Sequence, residues 1–71
     1  MDKHNLVRMA NRIGDFFAAM PDRQEAVKGI ADHIRRFWEP RMRREIMDYL
    51  NEGGAGLSDI VSDALRSGSI V

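Results

Sequence analysis

Side chains with catalytic or ligating potential are few in this chain and scattered. His4 and His33 are its two histidines, far apart and outside any H-x-x-x-H or H-x-x-E pattern, so spacing places neither as a metal ligand. They read instead as a terminal histidine and a helix-flank histidine. Ser58, Ser62, Ser67 and Ser69 crowd toward the C-terminus with no base beside them, and Ser58 reads better as a helix cap than as a nucleophile. Asp15, Asp22, Asp32 and Asp48 fall on polar positions, without the apolar surroundings that raise a carboxyl pKa. Met9, Met20, Met42 and Met47 would suit a soft metal or an adaptable binding face. Their helical spacing among leucines and isoleucines fits core filling instead, with Met47, one step off its helix face, the one expected to be exposed. No catalytic residue, no metal site and no cofactor of its own are therefore expected.

Recognition chemistry concentrates in Arg35-Arg36-Phe37-Trp38-Glu39-Pro40-Arg41-Met42-Arg43-Arg44. This stretch holds the only tryptophan, one of the two prolines and five of the eleven basic residues. Large rings, planar cations and a rigid break suit a protein interface. Four of the arginines have acids on their own chain: Arg41 lies over Glu45, Arg44 over Asp48, Arg35 over Glu39, and Asp32 over Arg36. Those i to i+4 pairs are ordinary solvated contacts worth ~0.3–0.5 kcal/mol each. Arg43 is the exception, since Glu39, its one acid within reach, is already claimed by Arg35. Phe37 continues a Val27, Ile30, Ile34 stripe and is expected in the core. Trp38, one step round, either closes that core or stands out as an anchor. The expected partner-binding set is Trp38, Glu39, Pro40, Arg41, Met42 and Arg43.

The elements that position this stretch are helices. Leu6, Met9, Ala10, Ile13, Phe16, Phe17 and Met20 follow the three-and-four spacing of one helix face, predicting a helix over about 3–19 that Pro21 stops. Asp22 with Glu25 reads as an aspartate capping box, opening a helix over 23–38 with Ala26, Val27, Ile30, Ala31, Ile34 and Phe37 inward. Pro40 breaks the chain again and starts a helix over 40–51. Gly53-Gly54-Ala55-Gly56 reads as a flexible joint, a short fourth helix follows over 58–66, and 68–71 reads as a loose tail. Gly14 and Gly29, both mid-helix, point to a close approach of the first two helices or to soft points. The expected fold is a single all-α domain over 1–71, three helices plus a short fourth.

Composition narrows the function classes. Eleven basic residues balance eleven acidic ones, which disfavours a generic binder of nucleic acid or anionic membrane. There are no cysteines, so no disulfide staples a chain short enough for its core to be marginal; the remaining support is another protein. The run Met1-Asp2-Lys3-His4-Asn5 lacks a signal-peptide core and no membrane-length apolar run follows, so the expected address is the cytoplasm.

Three segments carry a resemblance: Asn11-Arg12-Ile13-Gly14-Asp15-Phe16-Phe17, His33-Ile34-Arg35-Arg36-Phe37-Trp38-Glu39-Pro40-Arg41-Met42-Arg43, and Gly53-Gly54-Ala55-Gly56-Leu57-Ser58 with Ala64-Leu65. In this order the chain resembles the delta subunit of NAD-dependent, molybdenum-containing formate dehydrogenases. The W-[DE]-P-R-M core is the most specific part, and Asp59 stands where the family often has proline. The resemblance implies an accessory, non-catalytic subunit of a soluble complex that oxidises formate to carbon dioxide and reduces NAD. It implies that the large subunits carry the molybdenum cofactor, iron–sulfur clusters and FMN, and that this chain contacts the alpha subunit and, through it, beta and gamma. Assembly, cofactor maturation or stability of the complex is the implied role. The alternative from the residues is a small helical nucleic-acid binder that meets phosphate through Arg35–Arg44; an independent ligand-binding domain ranks last, for want of core.

Overall fold

Asp2 and Asp22 open the first two helices by the same device. Each sits in extended backbone and accepts a hydrogen bond from an amide two residues on, His4 N at 3.1 Å and Gln24 N at 2.9 Å, satisfying donors that a helix start leaves unpaired. Among the described residues Glu25 does not return the reciprocal bond, so the capping box is half formed. The computed structural model describes residues 2–68 and 70. Its elements are α1 (Lys3–Ala18), α2 (Arg23–Phe37), α3 (Pro40–Asn51) and α4 (Asp59–Ser67). The fold is an all-α small bundle, with no strand among the described residues.

Pro21 keeps Met20 out of helical geometry, and α1 finishes with a tightened turn in which Met20 N donates to Phe17 O at 3.0 Å. α2 and α3 meet across two extended residues, Trp38 (ψ 140°) and Glu39 (ψ 153°). Pro40 causes the corner: it pushes Glu39 toward extended backbone, while its own fixed φ suits the first position of α3. α3 ends in a Schellman motif, Gly54 N donating to Tyr49 O and Gly53 N to Leu50 O, each at 3.0 Å. Gly53 takes φ 124° there, backbone that a side chain would strain.

Ser58 holds the N-cap position of α4, but its hydroxyl makes no capping bond, contrary to the role expected for it. Asn11 of α1 does the ordering instead. Its side-chain oxygen accepts from Ser58 N at 3.0 Å and its amide donates to Gly56 O at 2.9 Å, while the Tyr49 hydroxyl donates to Ala55 O. The glycine stretch is thus tied to α1 and α3 by side-chain hydrogen bonds.

α1 is the hub, packing against α2, α3 and α4, and α2 also packs on α4. Leu6, Ile30, Ile34, Ile46, Val61, Leu65 and Ile70 are fully buried between them. Two helical glycines set how closely the elements approach. A Cβ on Gly14 would lie 2.5 Å from Val61 Cγ2, and one on Gly29 would lie 2.5 Å from the Phe17 ring. Gly29 therefore does serve the α1–α2 contact, whereas Gly14 admits α4. The loose tail expected over 68–71 is corrected at Ile70, which is buried in the core. Gly68 makes that return possible, since a Cβ there would sit 2.6 Å from Ala31 Cβ; Ser69 and Val71 lie outside the described residues. The Cα radius of gyration, 10.8 Å, matches the ~11 Å of a packed domain of this length.

Gly14→Ala tests the α1–α4 contact. Alanine gains ~1 kcal/mol of helix propensity, but its methyl would overlap the stiff, wholly buried Val61 side chain, and overpacking costs ~1–3 kcal/mol. The expected outcome is a net loss of about 1 kcal/mol, seen as a fall in thermal midpoint by circular dichroism; a rise would refute the tight contact.

Candidate docking surface

Trp38 is where the observed side chains part company with the helical stripe. It follows α2 as the C-cap in extended backbone, N–H bonded to Ile34 O at 3.0 Å, and its indole is 6% exposed within the core. Phe37, expected in the core, is instead 70% exposed. The physical reason is the corner: once the backbone leaves the helix at Trp38, helix periodicity no longer sets the indole's direction, and the larger ring takes the buried place. Of the open alternatives for Trp38, the structure selects the core.

The other five residues of the expected set divide between surface and interior. Glu39, Pro40 and Arg41 are exposed. Met42 is half-buried against the core, and half-buried Arg43 reaches back from α3, its Nη1 donating to Arg35 O at 3.4 Å in the last turn of α2. A cation there complements the partial negative charge of a helix C-terminus. Arg43 is thus engaged within its own chain.

The ion pairs also differ from those expected. Asp32 pairs with Arg35, three residues on, rather than with Arg36. Arg36, Arg41 and Arg44 are exposed and have no ion-pair partner among the described residues. Surface i to i+4 pairs gain little more than the side-chain entropy they cost, so the spacing alone does not enforce them. The pairs that link elements are Arg23–Asp63 at 2.8 Å, between α2 and α4, and Lys3–Glu52 at 3.7 Å. Arg23, Asp63, Arg35 and Asp32 all line the groove between α2 and α4, so much of its charge is already matched.

A second surface was hidden from the sequence reading. Phe16 is 75% exposed, and its ring meets Phe17 edge-on at 5.2 Å; Phe17 faces His33 at 6.3 Å, and His33 lies 4.8 Å from Phe37. The four rings form a continuous strip across α1 and α2. Arg12, Ile13, Phe16, Phe17 and His33 line a shallow groove of about 340 Å³ along it. Met20, not Met47, is the exposed methionine among the described residues; Met47 packs against the core. The adjacent pair Phe16-Phe17 carried a signal of this, because neighbouring residues sit about 100° apart on a helix and only one can face the core squarely. Phe37-Trp38 carried the same signal.

No three histidines, cysteines or carboxylates among the described residues converge as metal ligands, and with no cysteine in the chain there is no thiolate for an iron–sulfur cluster. The residues present do not fit such a group in this chain. None of the described helices is long and apolar enough to cross a membrane.

The profile of the NADH-dependent formate dehydrogenase delta subunit family, FdsD, matches residues 5–65, nearly the whole chain. The chain belongs to that family. As a delta subunit it is by family a component of a formate dehydrogenase of several subunits. Neither the curated proteins nor the solved structures compared with it give a significant match. The FdsD match takes in the Trp38–Arg43 corner and the four-ring strip alike.

Single substitutions should separate the two adjacent rings. Trp38→Ala should cost the delta subunit about 3–5 kcal/mol, as large-to-small core changes do, whereas Phe37→Ala should stay within about 0.5 kcal/mol. Urea unfolding followed by circular dichroism reads both; equal losses would contradict the inward Trp38 and outward Phe37.

Proposed function

We propose that this delta subunit is a non-catalytic accessory subunit that docks on the molybdenum-bearing alpha subunit of a NAD-dependent formate dehydrogenase, and through it joins the beta and gamma subunits. In this reading the complex works in the cytoplasm. The oxidation of formate to carbon dioxide and the reduction of NAD belong to the larger subunits, with their molybdenum cofactor, iron–sulfur clusters and FMN. The small chain serves assembly, cofactor maturation or stability.

The observation that carries the reading is Phe37 with its flanking cations. A phenylalanine ring 70% exposed adjoins Arg36 in sequence and precedes Glu39, Pro40 and Arg41 at a rigid corner, and neither arginine has an acid partner among the described residues. Aromatic and arginine side chains are the usual energetic anchors of protein interfaces. Burying such a ring gains ~1.5–3 kcal/mol, and a charge met by a partner's carboxylate adds specificity. Trp38 and Met42 support this surface from beneath, and Arg43 ties α3 to the end of α2 behind it.

The test uses surface residues, since a change at Trp38 would report on folding instead. The double variant Phe37→Ser, Arg41→Glu, co-expressed with the larger subunits, should keep its helical circular dichroism and be lost from the purified complex. Retention at wild-type stoichiometry would remove the corner as a docking site. Molybdenum content of complex purified with and without the chain then separates a maturation role from a purely structural one.

A further inference from the structure

Phe16 lies well inside α1, between Ile13 and Phe17, which pack on the core, and yet it is 75% exposed. With its two neighbours, His33 and Arg12 it walls the groove between α1 and α2. Apolar surface left in water at a shaped site marks a place that another molecule covers.

Chemistry on the surface indicates what covers it. The walls are two phenylalanine rings, an isoleucine and an imidazole, so the seated group is a large apolar side chain. No carboxylate lines the groove, and Arg12, its one guanidinium, has no ion-pair partner among the described residues. The charge this site lacks is negative. A second copy of the chain does not supply it through this patch, because a two-fold contact sets the same patch against itself and the patch holds no carboxylate. Five lining residues also fall far short of the roughly 20–30 residues per side of a stable interface, so the groove must be one part of a larger contact. The tilted contact of the His33 and Phe37 rings, 4.8 Å between centroids, joins it to the corner.

We propose that the groove receives a segment of a larger subunit that presents an aromatic or long aliphatic side chain beside an Asp or Glu. The apolar group seats against Phe16, Phe17 and His33, and the carboxylate pairs with Arg12. This rests on the docking reading above and deepens it by naming the chemistry the partner must bring.

The test titrates labelled delta subunit onto complex purified without it. Wild-type chain should bind, and Phe16→Ser and Arg12→Glu should each weaken binding more than about tenfold, with Arg12→Lys close to wild type. Arg66→Glu, an exposed change on α4, serves as the control and should bind normally. Arg12→Gln should also flatten the salt dependence of binding, since it removes one charge pair. Wild-type affinity in both Phe16→Ser and Arg12→Glu would overturn the groove proposal while leaving docking intact. An unchanged salt response in Arg12→Gln would overturn its carboxylate part. Failure of the wild-type chain itself to bind would instead defeat the docking reading. A concentration-dependent dimer of the isolated chain that Phe16→Ser abolishes would put a second copy in the groove and reject the proposal.

Discussion

Pro40 imposes the constraint on which much of this small fold depends. By disfavouring helical geometry at the residue before it, it ends α2 and leaves Trp38 and Glu39 extended. Released from the helix, Trp38 joins a core that also draws on α1, α3 and α4. The same turn leaves Phe37 outside, and it brings Arg43 of α3 within reach of the last carbonyls of α2. A single ring-closed residue thus decides which of two adjacent aromatic side chains stabilises the domain and which meets the surroundings.

A chain of 71 residues has little apolar surface to bury, and it compensates by close approach. Gly14 lets α4 settle against α1, Gly29 accepts the Phe17 ring, and Gly68 brings the chain back across α2 so that Ile70 can fill the core. Asn11 adds a polar tie, bridging α1 to the loop before α4 with both ends of its amide. These contacts use small residues and one amide where a larger domain would use bulk.

The surface left over is uneven in chemistry. Arg23 and Asp63 match across the α2–α4 side. Across α1 and α2 run four rings, with Arg12 beside them and Arg36 adjacent in sequence to Phe37, neither arginine having an ion-pair partner among the described residues. Such an imbalance is unfavourable in an isolated monomer and useful in a subunit, which fits membership of a family defined by a multi-subunit enzyme.

Much of this was legible in the residues themselves. Three-and-four periodicity, Asp22, Pro21, Pro40 and the Gly53-Gly54 pair are local signals, and local signals determine helix number, type and approximate ends. The family was legible as well, in Trp38-Glu39-Pro40-Arg41-Met42. Tertiary structure alone decided that Trp38 goes inward and Phe37 and Phe16 outward, that Arg43 binds a carbonyl of α2, that Asp32 chooses Arg35, and that Ile70 returns to the core. Each of those outcomes is a competition between side chains for places that exist only once the helices have packed. Periodicity states which residues are candidates for burial, but the volume enclosed between α1, α2, α3 and α4 determines which of them fit.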